Sequence, residues 1–190
     1  LGKVGQIKKE VKKMVELKSH DLGLLRLGKG IVSFDRFDAD GLPTGLRDLG
    51  NVPSMALTPT EEVIEHYTAR ENIKRLDDII PVSQKIIGKF TLEEFDRENL
   101  RIALFGEVGS YSIHGMTAAV VEGQLELWPT NDQGPKYHFQ AWKVRLRPTG
   151  DVGLIDDTAL GTMAFEFTCL NDAANHPESP YFDYTLLGES

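Results

Sequence analysis

Apolar side chains recur along this chain at two spacings, and the spacing changes near residue 24. Val4, Ile7, Val11 and Met14 follow each other at three and four residues, with Lys8, Lys9, Lys12 and Lys13 between them. That period predicts a short amphipathic basic helix over roughly 5–18. From about residue 24 the period drops to two. Residues 24–37 alternate and contain Gly28 and Gly30, which reads as a strand with a bend. Asp38, Asp40, Gly41, Pro43, Gly45, Asp48 and Gly50 give 38–50 turn chemistry. Residues 52–67 read as a long strand interrupted at Pro59, which suits an edge position. The charged run 68–80 reads as an extended loop, and 82–93 as a further strand. Residues 94–105 read as a helix, acidic in its first turn and closed by Gly106. Strands are expected again at roughly 116–128, 137–148 and 160–170, followed by an irregular tail from Pro177 to Ser190.

The late strands have two distinct faces. Val121, Gly123, Leu125 and Leu127 share one face of 116–128, and Glu122, Gln124 and Glu126 the other. Met163, Phe165, Phe167 and Cys169 share one face of 160–170, opposite Thr162, Ala164, Glu166 and Thr168. In 137–148, Trp142, Val144 and Leu146 are expected together, with Lys143, Arg145 and Arg147 opposite. The apolar faces supply a core and the polar faces meet water. The outline is mainly β: a rolled β-sandwich or barrel with one flanking α-helix, forming a single domain over 23–190 behind a basic N-terminal helix or arm over 1–22.

Composition narrows the function. The 190 residues carry a net charge of −8, which argues against a protein whose main task is gripping nucleic acid. The charge is uneven, since residues 1–20 hold six Lys against two Glu. That segment suits the acidic body of another copy. Cys169 is the single cysteine, so no internal disulfide or multi-cysteine zinc site forms. No apolar run approaches the ~18 residues of a membrane span, and no membrane partner is expected.

The search for catalytic chemistry ends without a site. Gly28-Lys29-Gly30 lacks the third glycine of a dinucleotide loop and opens a strand. Asp35, Asp38, Asp40 and Gly41 resemble half a calcium loop, but alignment on Asp40-Gly41 puts Arg36 and Arg47 at ligand positions. An acidic turn is the better reading. His20, His66, His114, His138 and His176 lack the close spacing of metal ligands. The expectation is no enzyme, no metal and no cofactor.

Several stretches, taken in order, resemble the tail tube proteins of long-tailed bacteriophages. They are Leu27-Gly28-Lys29-Gly30-Ile31-Val32-Ser33-Phe34-Asp35-Arg36-Phe37 and Asp48-Leu49-Gly50-Asn51-Val52-Pro53-Ser54-Met55-Ala56-Leu57-Thr58, then a charged loop to Asp77-Asp78. Phe90-Thr91-Leu92, the helix Arg97–Gly106 and Pro148-Thr149-Gly150-Asp151-Val152-Gly153-Leu154-Ile155 follow. The ordered set covers roughly 24–188. The N-terminal helix departs from it, because a short arm precedes the first strand in that family.

The resemblance implies a structural virion protein. Six copies would form a ring, and stacked rings a tube that conducts double-stranded DNA during genome ejection without binding it specifically. The implied partners are further copies, a tape measure protein and tail-end proteins; a sheath stays open. The implied place is the virion tail, assembled in the bacterial cytoplasm. Carried onto this sequence, the inter-ring contact falls on Tyr67, Arg70, Lys74, Arg75, Asp77 and Asp78. The lumen would be lined by Glu122, Gln124, Glu126, Thr162, Glu166 and Thr168. The arm residues Ile7, Lys8, Val11, Lys12 and Met14 would meet a neighbouring subunit. Two alternatives stay open: a related secretion-system tube subunit, and a β-sandwich binding module of a tail or surface assembly. For the latter, Trp128 is the candidate aromatic platform.

Overall fold

The computed structural model describes residues 25–188 apart from 27, 69–71, 119 and 156. The described residues form β1 (Gly30–Arg36), β2 (Arg47–Asp48), β3 (Ser54–Thr68), β4 (Arg75–Leu92), α1 (Arg97–Ala103), β5 (Glu107–Val108), β6 (Ile113–His114), β7 (Val121–Pro129), β8 (Tyr137–Pro148), β9 (Met163–Cys169) and β10 (Phe182–Leu186). The fold is mainly β with one flanking helix. The main sheet runs β2-β1-β7-β8-β9-β4-β3, and β10 also pairs with β8. Every pairing in it is antiparallel.

Strand β8 sits in two partnerships at once. Its first half, Tyr137–Ala141, pairs with β10, and its second half, Val144–Pro148, with β9. Strand β7 runs along its other edge, and the register slips there: Gly123 faces Val144 but Leu125 faces Ala141. An extra residue in β8 makes a bulge at Trp142–Lys143, which bends and twists the sheet. The roll brings the apolar faces together. Phe139, Ala141, Val144 and Leu146 of β8 are buried against Phe165 and Phe167 of β9, Phe90 of β4 and Phe34 of β1. Phe90 stacks on Phe165 at 5.4 Å between ring centres.

The helix covers one end of this core through Ile102 and Ala103. Asp96 starts it by accepting the Asn99 backbone N–H at 2.7 Å on Oδ1. It ends where Phe105 takes a left-handed backbone (φ 47°) and Gly106 N–H returns to the Arg101 carbonyl at 2.8 Å. The predicted helix over 94–105 is therefore trimmed to Arg97–Ala103.

Several boundaries differ from the sequence reading. Strand β3 runs through Pro59 without interruption, because β3 is the last strand of the sheet and needs no donor on its open edge. The segment 68–80 is not an extended loop: Thr68 closes β3, and β4 begins opposite it at Arg75 and runs through 80. Residues 116–120 lie outside β7, with Met116 in a left-handed conformation (φ 60°). The tail is not all irregular, since Phe182–Leu186 adds β10. Trp142 does not share a face with Val144 and Leu146, because the bulge inserts between them and turns Trp142 away from the core. The predicted helix over 5–18 lies outside the described residues.

Candidate assembly surfaces

Strands β3 and β4 form a ribbon that leaves the body. Strand β4 pairs with β9 only over Ile87–Leu92, so residues 59–68 and 75–86 pair with each other alone. At about 3.3 Å per residue the ribbon projects roughly 30–35 Å. Its side chains are exposed almost throughout. The register places Leu57, Val63, Tyr67, Leu76, Ile79 and Ile86 on the side continuous with the core face, where Gly88 lies on the Phe167 ring. Thr58, Thr60, Glu62, His66, Asp78 and Lys85 share the other side with Ile64 and Ile80. Tyr67, Leu76 and Ile79 are 45%, 46% and 51% exposed.

The expected inter-ring residues lie at this ribbon's end. Tyr67 closes β3 beside Leu76, with Arg75 opposite Thr68 and Lys74 in the turn. Asp77 bulges from the ladder and its Oδ1 lies 2.6 Å from His66 Nδ1. Asp78 accepts the Ile79 N–H at 2.8 Å. The Tyr67 hydroxyl donates to Glu65, and that carboxylate raises the phenol pKa. Arg70 lies outside the described residues, as do Ile7, Lys8, Val11, Lys12 and Met14.

The polar face brings some of the expected lumen residues together and separates others. Glu122, Arg145 and Thr168 lie side by side across β7, β8 and β9. Next to them Arg147, Glu166 and Lys89 form a second row. The Glu166 Oε1 accepts from Arg147 Nε at 3.0 Å and Nη2 at 2.5 Å, and Lys89 Nζ stands 3.8 Å from Oε2. Lys143 Nζ is 3.3 Å from Glu122 Oε2. Lys143 thus pairs with Glu122, and Arg147 and Lys89 with Glu166, while Arg145 stands between Glu122 and Thr168, so these rows hold more cations than acids.

Gln124 and Glu126 lie beyond the bulge. Glu126 is 6% exposed and accepts from Gln124 Nε2 (2.8 Å), Gln140 Nε2 (2.9 Å) and Trp128 Nε1 (2.9 Å). Trp128 lies against His138 with ring centres 4.1 Å apart. Thr162 is exposed just before β9.

Sequence reasoning missed the polar groups that hold the loops. Asp35 Oδ1 accepts from Thr44 N (2.7 Å) and Gly45 N (2.8 Å), and Asp38 Oδ1 from Asp40 N (2.9 Å) and Leu42 N (2.8 Å). The acidic turn is therefore occupied by its own backbone. Glu107 bridges Arg36 Nη2 at 2.9 Å and Arg101 Nη2 at 2.6 Å, tying the β5–β6 hairpin to β1 and α1. Desolvation pushes the Glu107 pKa up, but the bonds from the two guanidiniums outweigh it and hold the carboxyl below its usual range. Trp142 stacks flat on His176, ring centres 3.9 Å apart, beside a cleft of about 1150 Å³. These contacts join residues far apart in sequence, so no local pattern announces them. Leu76, Ile79 and Ile86 share the ribbon's side only because two bulges shift the register of β4, so their spacing of three and seven residues gives no period-two signal in the sequence.

Among the described residues no group of three or more His, Cys, Asp or Glu side chains is placed to hold a metal ion. No described helix is long and apolar enough to cross a membrane. The chain belongs to a family described as protein of unknown function UCP028589, which matches residues 25–127, just over half of the sequence. That span runs from the approach to β1 to near the end of β7, and so contains the ribbon and α1. No curated protein matches the chain.

Proposed function

We propose that this chain is a self-assembling structural subunit of the tail-tube kind, whose copies form rings that stack into a conduit for DNA. The observation that carries the reading is the β3–β4 ribbon. An isolated two-stranded ribbon is marginal in water, yet among the described residues this one leaves Tyr67, Leu76 and Ile79 about half exposed. Contact with another copy supplies that cover and removes the open β3 edge. Lys89, Lys143 and Arg147 on the polar face are already paired with Glu122 or Glu166, which fits a passage that grips phosphates weakly. A tape measure protein and tail-end proteins are the proposed partners within a virion tail.

The test is negative-stain electron microscopy of the purified protein at rising concentration, beside the variant Tyr67→Asp/Ile79→Asp. We expect rings or tubes of uniform diameter from the wild type. The variant should stay monomeric with an unchanged β-rich circular dichroism spectrum, since these side chains support nothing in the body. A wild type that remains monomeric at every concentration, with a variant indistinguishable from it, would overturn the reading. It would favour instead a binding module that uses the cleft beside Trp142.

A further inference from the structure

The rolled sheet leaves a seam. Among the described residues β1 is paired on its outer edge only at Ser33 and Phe34, and β3 is paired only with β4. Gly28 and Gly30 on one side and Ser54, Met55 and Leu57 on the other flank a groove of about 530 Å³. Val32, Leu127, Phe139 and Phe182 give it an apolar wall. Its lining charges are Arg26 and Lys29, and no acidic side chain lines it. Arg26 also donates to the Tyr184 hydroxyl, and Lys29 Nζ lies 3.6 Å from Asp132 in a pair whose side chains are 56% and 90% exposed. A surface pair of that kind is weak and exchanges readily.

Elsewhere the chain carries a turn of the opposite character. Leu154, Ile155 and Leu160 are 88%, 96% and 82% exposed. No Lys or Arg stands between Thr149 and Met163, whereas Asp151 and Asp157 flank the apolar residues. The turn is rooted in the body, because Val152 packs on the core and Gly161 lies against the Phe95 ring. The described residues leave these three apolar side chains almost fully exposed, as is expected of a patch that meets a second surface.

We propose that the turn carrying Leu154 and Ile155 inserts into the groove of a second copy, with Asp151 and Asp157 meeting Arg26 and Lys29. The groove is apolar with a basic rim, and the turn is apolar with acidic flanks, so polarity and charge agree. The two patches differ, and such a contact passes from copy to copy. The inference rests on the assembly reading above and adds a contact independent of the ribbon.

Thiol cross-linking tests it. A full-length Leu57→Cys chain is mixed under oxidising conditions with an Ile155→Cys, an Ile79→Cys or a Val11→Cys chain of different tag length. Cys169 gives little background, since burial raises its thiol pKa to about 12. The expected result is at least about tenfold more cross-linked heterodimer with Ile155→Cys than with the other two, as proximity raises effective concentration. Preference for Ile79→Cys or Val11→Cys would overturn the inference and assign the groove to the ribbon or the N-terminal segment. Microscopy of the same mixtures separates the two claims. Tubes without the Ile155 cross-link would remove this contact and leave assembly standing. The cross-link without rings or tubes would keep the contact and remove the tube. Neither product would remove both.

Discussion

Asn99 holds three parts of the chain together from a fully buried position. Its Nδ2 donates to the Leu49 carbonyl (3.0 Å) and the Glu94 carbonyl (2.9 Å), and its Oδ1 accepts from Arg47 Nη2 at 2.6 Å. Asn99→Leu keeps the volume but strands those partners. The expected loss is about 2–4 kcal/mol in urea denaturation, the usual cost of unsatisfied buried groups. A change below about 0.5 kcal/mol, the scatter of surface substitutions, would show that water replaces the amide.

Cys169 illustrates the same scale with a titrating group. Burial raises its thiol pKa from 9.0 to about 12, so the fold holds the neutral form. The contribution is complete below pH 9.0 and is lost as pH rises towards about 12. A disulfide reagent at pH 8 should leave the native thiol untouched and label it fully in urea. The denaturation midpoint of the wild type should fall more steeply above pH 9 than that of Cys169→Ala. Rapid labelling of the native protein would contradict this burial.

At the scale of elements, the bulge in β8 decides the most. With the extra residue at Trp142–Lys143, both Phe139 and Ala141 before it and Val144 and Leu146 after it reach the core. A strand of strict period two cannot do this with that sequence. Deleting Lys143 should therefore force one half of β8 to turn its apolar side chains outward. The expected outcome is loss of the cooperative unfolding transition, read by circular dichroism on heating. Deleting a residue from the β3–β4 turn should leave that transition within about 0.5 kcal/mol of wild type. The strands with one clean apolar face, β1, β7 and β9, were legible in the sequence. Strand β10 was not, because its five residues follow two prolines and gain their partner only from β8. The extended form of 75–80 was hidden by charge, because a ribbon exposed on both sides need not alternate.

At the scale of the whole molecule, charge placement bears on the proposed conduit. Glu126 and Glu166 are nearly buried and bonded within their own sheet, whereas Glu122, paired with Lys143, and Thr168 flank Arg145 nearer the surface. Glu122→Lys with Thr168→Lys should preserve folding and add unpaired cations to one face. The variant should retain duplex DNA at low salt with a steeper salt dependence than wild type. Equal and negligible retention by both proteins would count against that face as a DNA-facing wall.

Period and composition determined the class of this protein by themselves. A period of two with apolar residues on single faces requires half-buried strands, and 94–105, acidic in its first turn and closed by Gly106, reads as a helix. Those signals act between neighbours, where backbone geometry alone sets which side a residue takes. The tertiary structure decided what depends on partners distant in sequence. It placed the bulge that turns Trp142 outward, paired Glu122 and Glu166 with cations of adjacent strands, and left the ribbon and the seam open among the described residues. Register between strands and the exposure of a face follow from how the whole sheet rolls, and that roll is a sum over all its pairings rather than a property of any one segment.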